Sequence, residues 1–402
     1  MKTFVCLTLS LAILPSLAFG QTYNTNLGNE SLFSNTSGSY NVAVGAFSLL
    51  SNTTGSSNTA LGYNSLYSNT TGANNISIGG NSLLNNTTGS NNTAVGPSTL
   101  ANSTTGNSNT AVGAYTLLAN TTGSSNAAFA ATALENNTTG FQNTAIGVNT
   151  LNANTTGYQN TAIGYQSLYL NTTGNFHTAV GYAALISNTT GNSNDAFGFG
   201  ALEYNTTGSV NNAIGDSALY QNVTGNYNNA VGINALYTAT SGNNNEADGY
   251  DALLVLTTGS NNTALGYQVG ETTLTTGSNN ILIGTSSATD TPAANSSNEI
   301  NIGGLLFWNQ GSLAAPVFSA CGVSPTVDSH ANNRSGTVTM GSGSLTTCTL
   351  TFAGSGYSSW NHCRVTPHST LAAFGYSYTL TTITMTATAE SSAVVDYDCD
   401  GY

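Results

Sequence analysis

Basic side chains are almost missing from this chain. Three lysines and arginines stand against sixteen acids, for a formal net charge of −13. The three are Lys2, Arg334 and Arg364, so residues 21–333 hold no such cation. Nucleic acids and anionic membrane surfaces are held by cations that neutralise phosphate; neither is an expected partner. Cysteine is absent between Cys6 and Cys321, and proline occurs only 6 times. Beyond the first twenty residues no apolar run reaches the roughly 18 residues that span a bilayer as a helix. Charged residues make up 5% of the chain, and glycine, asparagine, threonine and serine fill the polar positions instead. Neither a disordered polyelectrolyte nor an ordinary globular enzyme has that composition.

The N-terminus has the layout of an export signal: Met1-Lys2, an apolar stretch over residues 4–17, then Ala18-Phe19-Gly20. A cleaved signal peptide is expected over residues 1–20, with the mature chain starting near Gln21 and exported to the cell surface or beyond. Cys6 lies inside the apolar stretch, where it does not serve as a lipid anchor.

A strict repeat fills the middle of the chain. Gly28, Gly45, Gly62, Gly79, Gly96 and Gly113, then Gly147 through Gly266, recur every 17 residues, with Ala130 in the one missing place. Four residues after each, from Gly28 to Gly249, comes leucine, as at Leu32, Leu49, Leu66 and onward to Leu253. Ten residues after it comes a second glycine, such as Gly55 and Gly72, usually preceded by Asn-Thr-Thr. Such periodicity marks a solenoid, and 17 residues is too short for a helical-hairpin repeat. The pattern predicts an all-β fold: a β-solenoid, or β-roll, of about 17 coils over residues 21–311, each coil with two short extended stretches joined by Gly and Asn turns. The period loosens to 18 and 19 residues at Gly284 and Gly303.

Strand side chains alternate faces. The residue before the first glycine is apolar in nearly every coil (Val44, Leu61, Ile78, Ile146, Phe197), and two residues earlier stand Thr, Val42, Ile76 or Ile281. This set is read as facing inward. The intervening alanine, replaced by Ser77 in one coil, is read as a small, flat outer face. Asparagine four residues before the glycine, with His177 as the exception, is expected to stack into a hydrogen-bonded ladder. The Asn-Thr-Thr sequences match the N-glycosylation pattern, but turn and ladder chemistry already accounts for them.

From residue 312 to 402 the repeat gives way to alternating segments, which predict a small β-sandwich. Cys321, Cys348, Cys363 and Cys399 all lie there and suggest two disulfides in an exported chain. Three pairings are open; Cys348 with Cys363 and Cys321 with Cys399 is preferred.

Little in the sequence points to catalysis, which needs a nucleophile and base held together in a cleft. No enzyme is expected. Asp328, His330, His362 and His368 match no zinc spacing, and His177 reads as a polar substitution in the ladder. The sharpest cluster is Glu246, Asp248 and Asp251. Glu246 and Asp248 occupy positions read as inward, where unpaired carboxylates are costly. A calcium or other hard-cation site of oxygen ligands is the corresponding expectation.

Asn143-Thr144-Ala145-Ile146-Gly147 and Asn160-Thr161-Ala162-Ile163-Gly164, each followed by leucine four residues on, resemble the head repeats of YadA-like trimeric autotransporter adhesins. The Asn-Thr-Thr-Gly corners are similar to the repeats of phage and viral tail fibres, over about residues 24–303. The resemblance implies a homotrimer of parallel β-rolls that binds a surface receptor or glycan. The period is longer than the adhesin repeat, and neither a heptad stalk nor a C-terminal membrane barrel is evident, so self-anchoring in an outer membrane is not expected. An extracellular or cell-surface adhesive rod is therefore the leading expectation. An ice-binding β-solenoid is the alternative, suggested by the regular Thr-Thr pairs, and a polysaccharide depolymerase comes third.

Overall fold

The computed structural model describes residues 23–303 in full and, beyond them, the backbone of strands from Leu306–Asn309 to Val394–Gly401. The expected signal peptide lies outside the described residues. The chain divides into two compact units between Trp308 and Asn309. Among the described residues every regular element is a strand.

The first unit is a parallel β-solenoid. Each coil contributes one short strand, from Thr25–Leu27 and Val42–Val44 to Glu299–Ile302, paired in parallel with the next coil's strand. The register advances by the repeat, as in Thr59 opposite Ile76, and follows the loosened period at Thr263 opposite Ile281 and Ile281 opposite Ile300. At about 4.8 Å per coil, the stack is on the order of 80 Å long.

The second extended stretch expected in each coil is not a strand. Two residues after the corner glycine, and again at the leucine, the backbone is left-handed: Asn64 has φ 54° and Leu66 φ 54°. This double bend turns the leucine onto the coil axis, where it is wholly buried. A left-handed L-residue costs about 1–2 kcal/mol, and burying a leucine side chain returns about 1.5–3 kcal/mol. The bend therefore stands on the leucine stack. Its backbone groups are still satisfied from coil to coil, for example Leu66 N–H to Ser82 O at 3.0 Å and Thr53 N–H to Thr70 O at 2.9 Å.

The strand faces are the reverse of the expectation. The central alanines, including Ala43, Ala60, Ala94 and Ala145, are fully buried, whereas the flanking Thr, Val and Ile residues point outward. Where the leucine stack occupies the interior opposite the strand, the coil leaves room for little more than a methyl group; past Gly270, which stands where the earlier coils have leucine, Leu282 and then Asn301 take the alanine's place and are buried. Ser77 shows the constraint, because its inward hydroxyl is satisfied within the coil: it donates to Ser82 O at 2.9 Å and accepts from Ser65 Oγ at 2.7 Å.

Two asparagine ladders complete the interior. In the first, the one expected, Asn58 N–H donates to Asn41 Oδ1 at 3.0 Å, and Asn58 Nδ2 donates to Gly72 O at 2.9 Å. In the second, built from the Asn of Asn-Thr-Thr, Asn69 Nδ2 donates to Asn52 Oδ1 at 2.8 Å and to the same Gly72 O at 3.0 Å. Most second corners are thus held by two buried amides; at Gly106, Gly242, Gly259 and Gly277, where Ser103, Ala239, Leu256 and Leu274 replace the second asparagine, the first ladder alone supplies one. At the first corner, Gly45 has φ 131°, and a Cβ there would lie 2.5 Å from Gly62 O. Ala130 occupies that corner with φ 104°.

In the second unit, Val317–Ser319, Cys348–Thr351, Thr382–Ala387 and Phe374–Tyr378 form one antiparallel four-stranded sheet. Thr326–Val327, Ser335–Thr339, Val394–Gly401 and Trp360–Pro367 form another. Cys363 stands opposite Cys399 in the second sheet, while Cys348 belongs to the first. Cys321, Asp328, His330 and His368 lie outside the described residues, as do the side chains of Cys348, Cys363, Cys399 and His362.

Candidate binding surfaces of the rod

Four outward features of the solenoid follow from the 17-residue period, because a residue type repeated in sequence becomes a column in space. The first is the strand face. Val44, Leu61, Ile78, Val95, Val112, Phe129, Ile146 and Ile163 stand one above another, and the column continues through Ile214 to Val231. Leu61, Ile146 and Ile214 are 45%, 41% and 42% exposed, so the strand face is open to an apolar partner.

The second is the Asn-Thr-Thr corner. The first threonine is committed to the stack, as Thr53 Oγ1 donates to Thr70 O at 2.9 Å and Thr70 Oγ1 to Thr87 O at 3.0 Å. The second threonine is exposed in each coil, at Thr54, Thr71, Thr88, Thr105 and onward to Thr276, with serine at Ser37 and Ser241. Its place is the one exposed position that keeps a hydroxyl in every coil from Ser37 to Thr276.

The third is a set of aromatic stacks. Tyr165, Tyr182 and Phe199 stack at 5.5 and 5.1 Å, and Tyr250 stacks on Tyr267 at 5.4 Å. Phe141 and Tyr158 lie 4.8 Å apart and nearly parallel, and Phe176 meets Tyr158 edge to face with ring centroids 5.2 Å apart. Tyr220 stacks on Tyr237 at 4.9 Å and meets Tyr204 edge-on. A hydrogen bond with Tyr204, together with burial and the nearby Glu203, raises the Tyr220 phenol above its ordinary value, while burial raises the Glu203 carboxyl.

The fourth is the acidic coil, where the face reversal changes the electrostatics. Glu246 and Asp248 flank the buried Ala247 and point outward. A carboxylate oxygen of Glu246 accepts from Asn229 Nδ2, and Asp251 Oδ1 accepts from Asn234 Nδ2 at 3.0 Å. The cost of inward charge, which motivated a cation site, does not arise for Glu246 and Asp248; Asp251 is buried, with Asn234 as its hydrogen-bond donor. No group of three or more His, Cys, Asp or Glu is placed to hold a metal ion among the described residues.

His177 lies inside the first ladder rather than on any of these surfaces. Its Nδ1 accepts from Asn194 N–H at 3.1 Å, which fixes Nε2 as the protonated nitrogen and the donor to Gly191 O at 2.7 Å. Burial lowers its pKa to about 4. At the far end Glu299 takes the ladder place, its N–H donating to Asn280 Oδ1 at 3.0 Å, and burial raises its carboxyl.

Searches against protein-family models, curated proteins and solved structures find no match to this chain.

Proposed function

We propose that the protein is an exported, non-catalytic structural and adhesive fibre. In this reading the solenoid associates side by side with further copies of itself through its strand face and presents its corners to a surface receptor. The observation that carries the reading is the outward apolar column. Single exposed apolar residues are ordinary on any protein. A column unbroken over many coils is not, since contiguous apolar patches beyond a few hundred Å² mark interaction surfaces. The interior is already filled by the Leu, Ala and Asn stacks, so the column adds nothing to the interior packing of a single chain.

The resemblance to YadA-like heads supports three copies, with the strand faces turned toward a common axis. The direct test is the mass of the mature chain by light scattering, with sedimentation velocity to report elongation. An elongated particle of three chain masses is expected, and Ile146→Asp, a charge in mid-column, should dissociate it. A monomer at micromolar concentration overturns the fibre reading.

The corner column favours ice binding as the second reading, because it sets one exposed hydroxyl per coil at regular spacing. That reading predicts shaped ice crystals and a lag in their growth in a nanolitre freezing assay. Round, freely growing crystals exclude it.

A further inference from the structure

We infer that the rod carries a binding site for a neutral pyranose sugar in the hollow between Ser124 and Phe141. This deepens the adhesive reading by naming a receptor chemistry, and it does not depend on self-association.

The hollow arises from a step in side-chain size along one column. Phe141 and Tyr158 occupy equivalent places in successive coils and stack face to face. The preceding coil has Ser124 at that place. Its hydroxyl is drawn down onto the rod, accepting from Asn107 N–H at 3.0 Å and donating to Thr122 O at 3.2 Å. One face of Phe141 is covered by Tyr158, and the other looks along the rod over Ser124, where no ring follows. The result is a depression of about 330 Å³ lined by Thr122, Ser124, Ser125, Thr139, Phe141 and Gln142. That volume is at the lower end of the ~300–1,000 Å³ of small-ligand sites.

The lining selects the ligand. An aromatic face one rung short of a longer stack offers a flat apolar surface to a flat partner. The C–H face of a pyranose is such a surface, and its hydroxyl rim needs donors and acceptors around it. Thr122 and Thr139 come from the exposed corner column, and Ser125 and Gln142 from the next exposed position of each coil. Among the described residues the hydroxyls of Thr122, Ser125 and Thr139 and the Gln142 amide make no hydrogen bond within the protein. They remain available to a sugar rim at no cost to the ladders. No lining residue is charged. Residues 21–333 contain no lysine or arginine to pair with a uronate, sulfate or sialate, and the chain is strongly acidic. The sugar is therefore an uncharged one.

Saturation-transfer NMR on the mature chain tests this with a panel of neutral oligosaccharides built from glucose, galactose, mannose or N-acetylglucosamine, alongside sialylated and uronate-containing ones. At least one neutral member is expected to bind at millimolar concentration. Phe141→Ala removes the stacking face. Ser124→Tyr supplies the missing rung and fills the hollow, and tyrosine already stands in this column at Tyr158. Each substitution should weaken binding at least tenfold, about 1.4 kcal/mol, and Ser124→Tyr, which gives up only the exposed bonds to Asn107 N–H and Thr122 O, should still unfold cooperatively. Absence of binding by every neutral member overturns the inference, as does binding only by acidic members or binding that survives both substitutions. Both residues lie off the strand face, so sedimentation of the same samples reads self-association separately. A stable oligomer without sugar binding refutes the site alone, and a monomer that binds sugar refutes the fibre alone.

Discussion

Acidifying the solution from pH 7 to pH 5 should loosen the coils around His177 by about 2 kcal/mol, and His177→Asn should abolish that loss. The folded-state pKa of about 4 lies below the ordinary histidine value of 6.5, so between those values the unfolded chain binds the proton and the folded chain does not. The contribution is fully present above about pH 6.5 and is lost as pH falls toward 4. A tenfold difference in proton affinity between the folded and unfolded chain corresponds to about 1.4 kcal/mol, so the limit is about 3 kcal/mol, of which about 2 has been lost at pH 5. The structural cause is specific: a proton on Nδ1 would point at Asn194 N–H, which now donates to that nitrogen. Asparagine at this place offers an acceptor oxygen and a donor amide, as its neighbours in the column do. Repeat arrays can unfold locally, so the assay is hydrogen exchange of the Asn194 amide and its neighbours at pH 7 and 5, corrected for intrinsic rates. Other acids titrate alike in both proteins and cancel in the difference. Equal loss of protection in wild type and His177→Asn would refute the reasoning.

Ala130→Gly should stabilise the chain by about 1 kcal/mol, because it relieves an alanine held at φ 104° where the other coils have glycine; an unchanged or lower urea midpoint would count against this strain. Asn69→Ala should cost about 1–3 kcal/mol, since it removes the donor to both Asn52 Oδ1 and Gly72 O within a buried ladder, and urea unfolding near the wild-type midpoint would contradict that. In a glycosylating host, Asn52 and Asn69 should stay unmodified because they are fully buried, whereas Asn91 and Asn261, exposed in Asn-Asn-Thr sequences, should take any glycan added; intact-peptide mass spectrometry decides. Cys363 and Cys399 hold opposite register positions on adjacent strands, a placement suited to a cross-strand bond. Non-reducing peptide mapping should therefore recover that pair in place of Cys348–Cys363 and Cys321–Cys399.

The period, the parallel coil and the first asparagine ladder were legible because each rests on residue identity at fixed spacing. The direction of the strand side chains was not. Val44, Ile146 and Ile163 are apolar, and an apolar residue in a strand is ordinarily the inward one. The better signal lay in the alanines between them: from Ala43 to Ala264 the place is held by alanine or, once, Ser77, and a small residue kept in coil after coil marks a place where little more fits; Leu282 enters it only after Gly270 has interrupted the leucine stack. The left-handed leucines carry no local signal, since leucine has no preference for that region and takes it only because the stacked coils bury it. The aromatic stacks and the hollow at Phe141 were legible only through the period, which places Phe141, Tyr158 and Ser124 in one column; none of them belongs to a recognised motif.

The reversal of the strand face also separates what the fold requires from what it leaves open. Buried columns are constrained by size or hydrogen bonding: alanine for the thin wall, leucine for the axis, asparagine for the corners. Outward positions escape those constraints, and most vary freely. In the column that begins at Ala46 and Tyr63, for example, Pro97, Val148, Asp216 and Tyr250 follow. Two outward columns do not vary in this way, the apolar residue before the corner glycine and the hydroxyl after the first threonine. Stability of the single coil does not account for either, since the first adds nothing to the interior packing and the second forms no ladder bond. Their regularity is best explained by contacts outside the chain, and their different chemistry argues for two different contacts. An apolar column suits a second copy of the same rod, which can match it coil for coil at the same spacing. A hydroxyl column suits a hydrated, uncharged partner. The apolar column is broken at Asp248, so a second copy in register would bring like charges together at that coil. Lateral association should therefore tighten in Asp248→Ile, measurable as a lower dissociation constant in sedimentation equilibrium; an unchanged constant would mean that the strand face is not the contact.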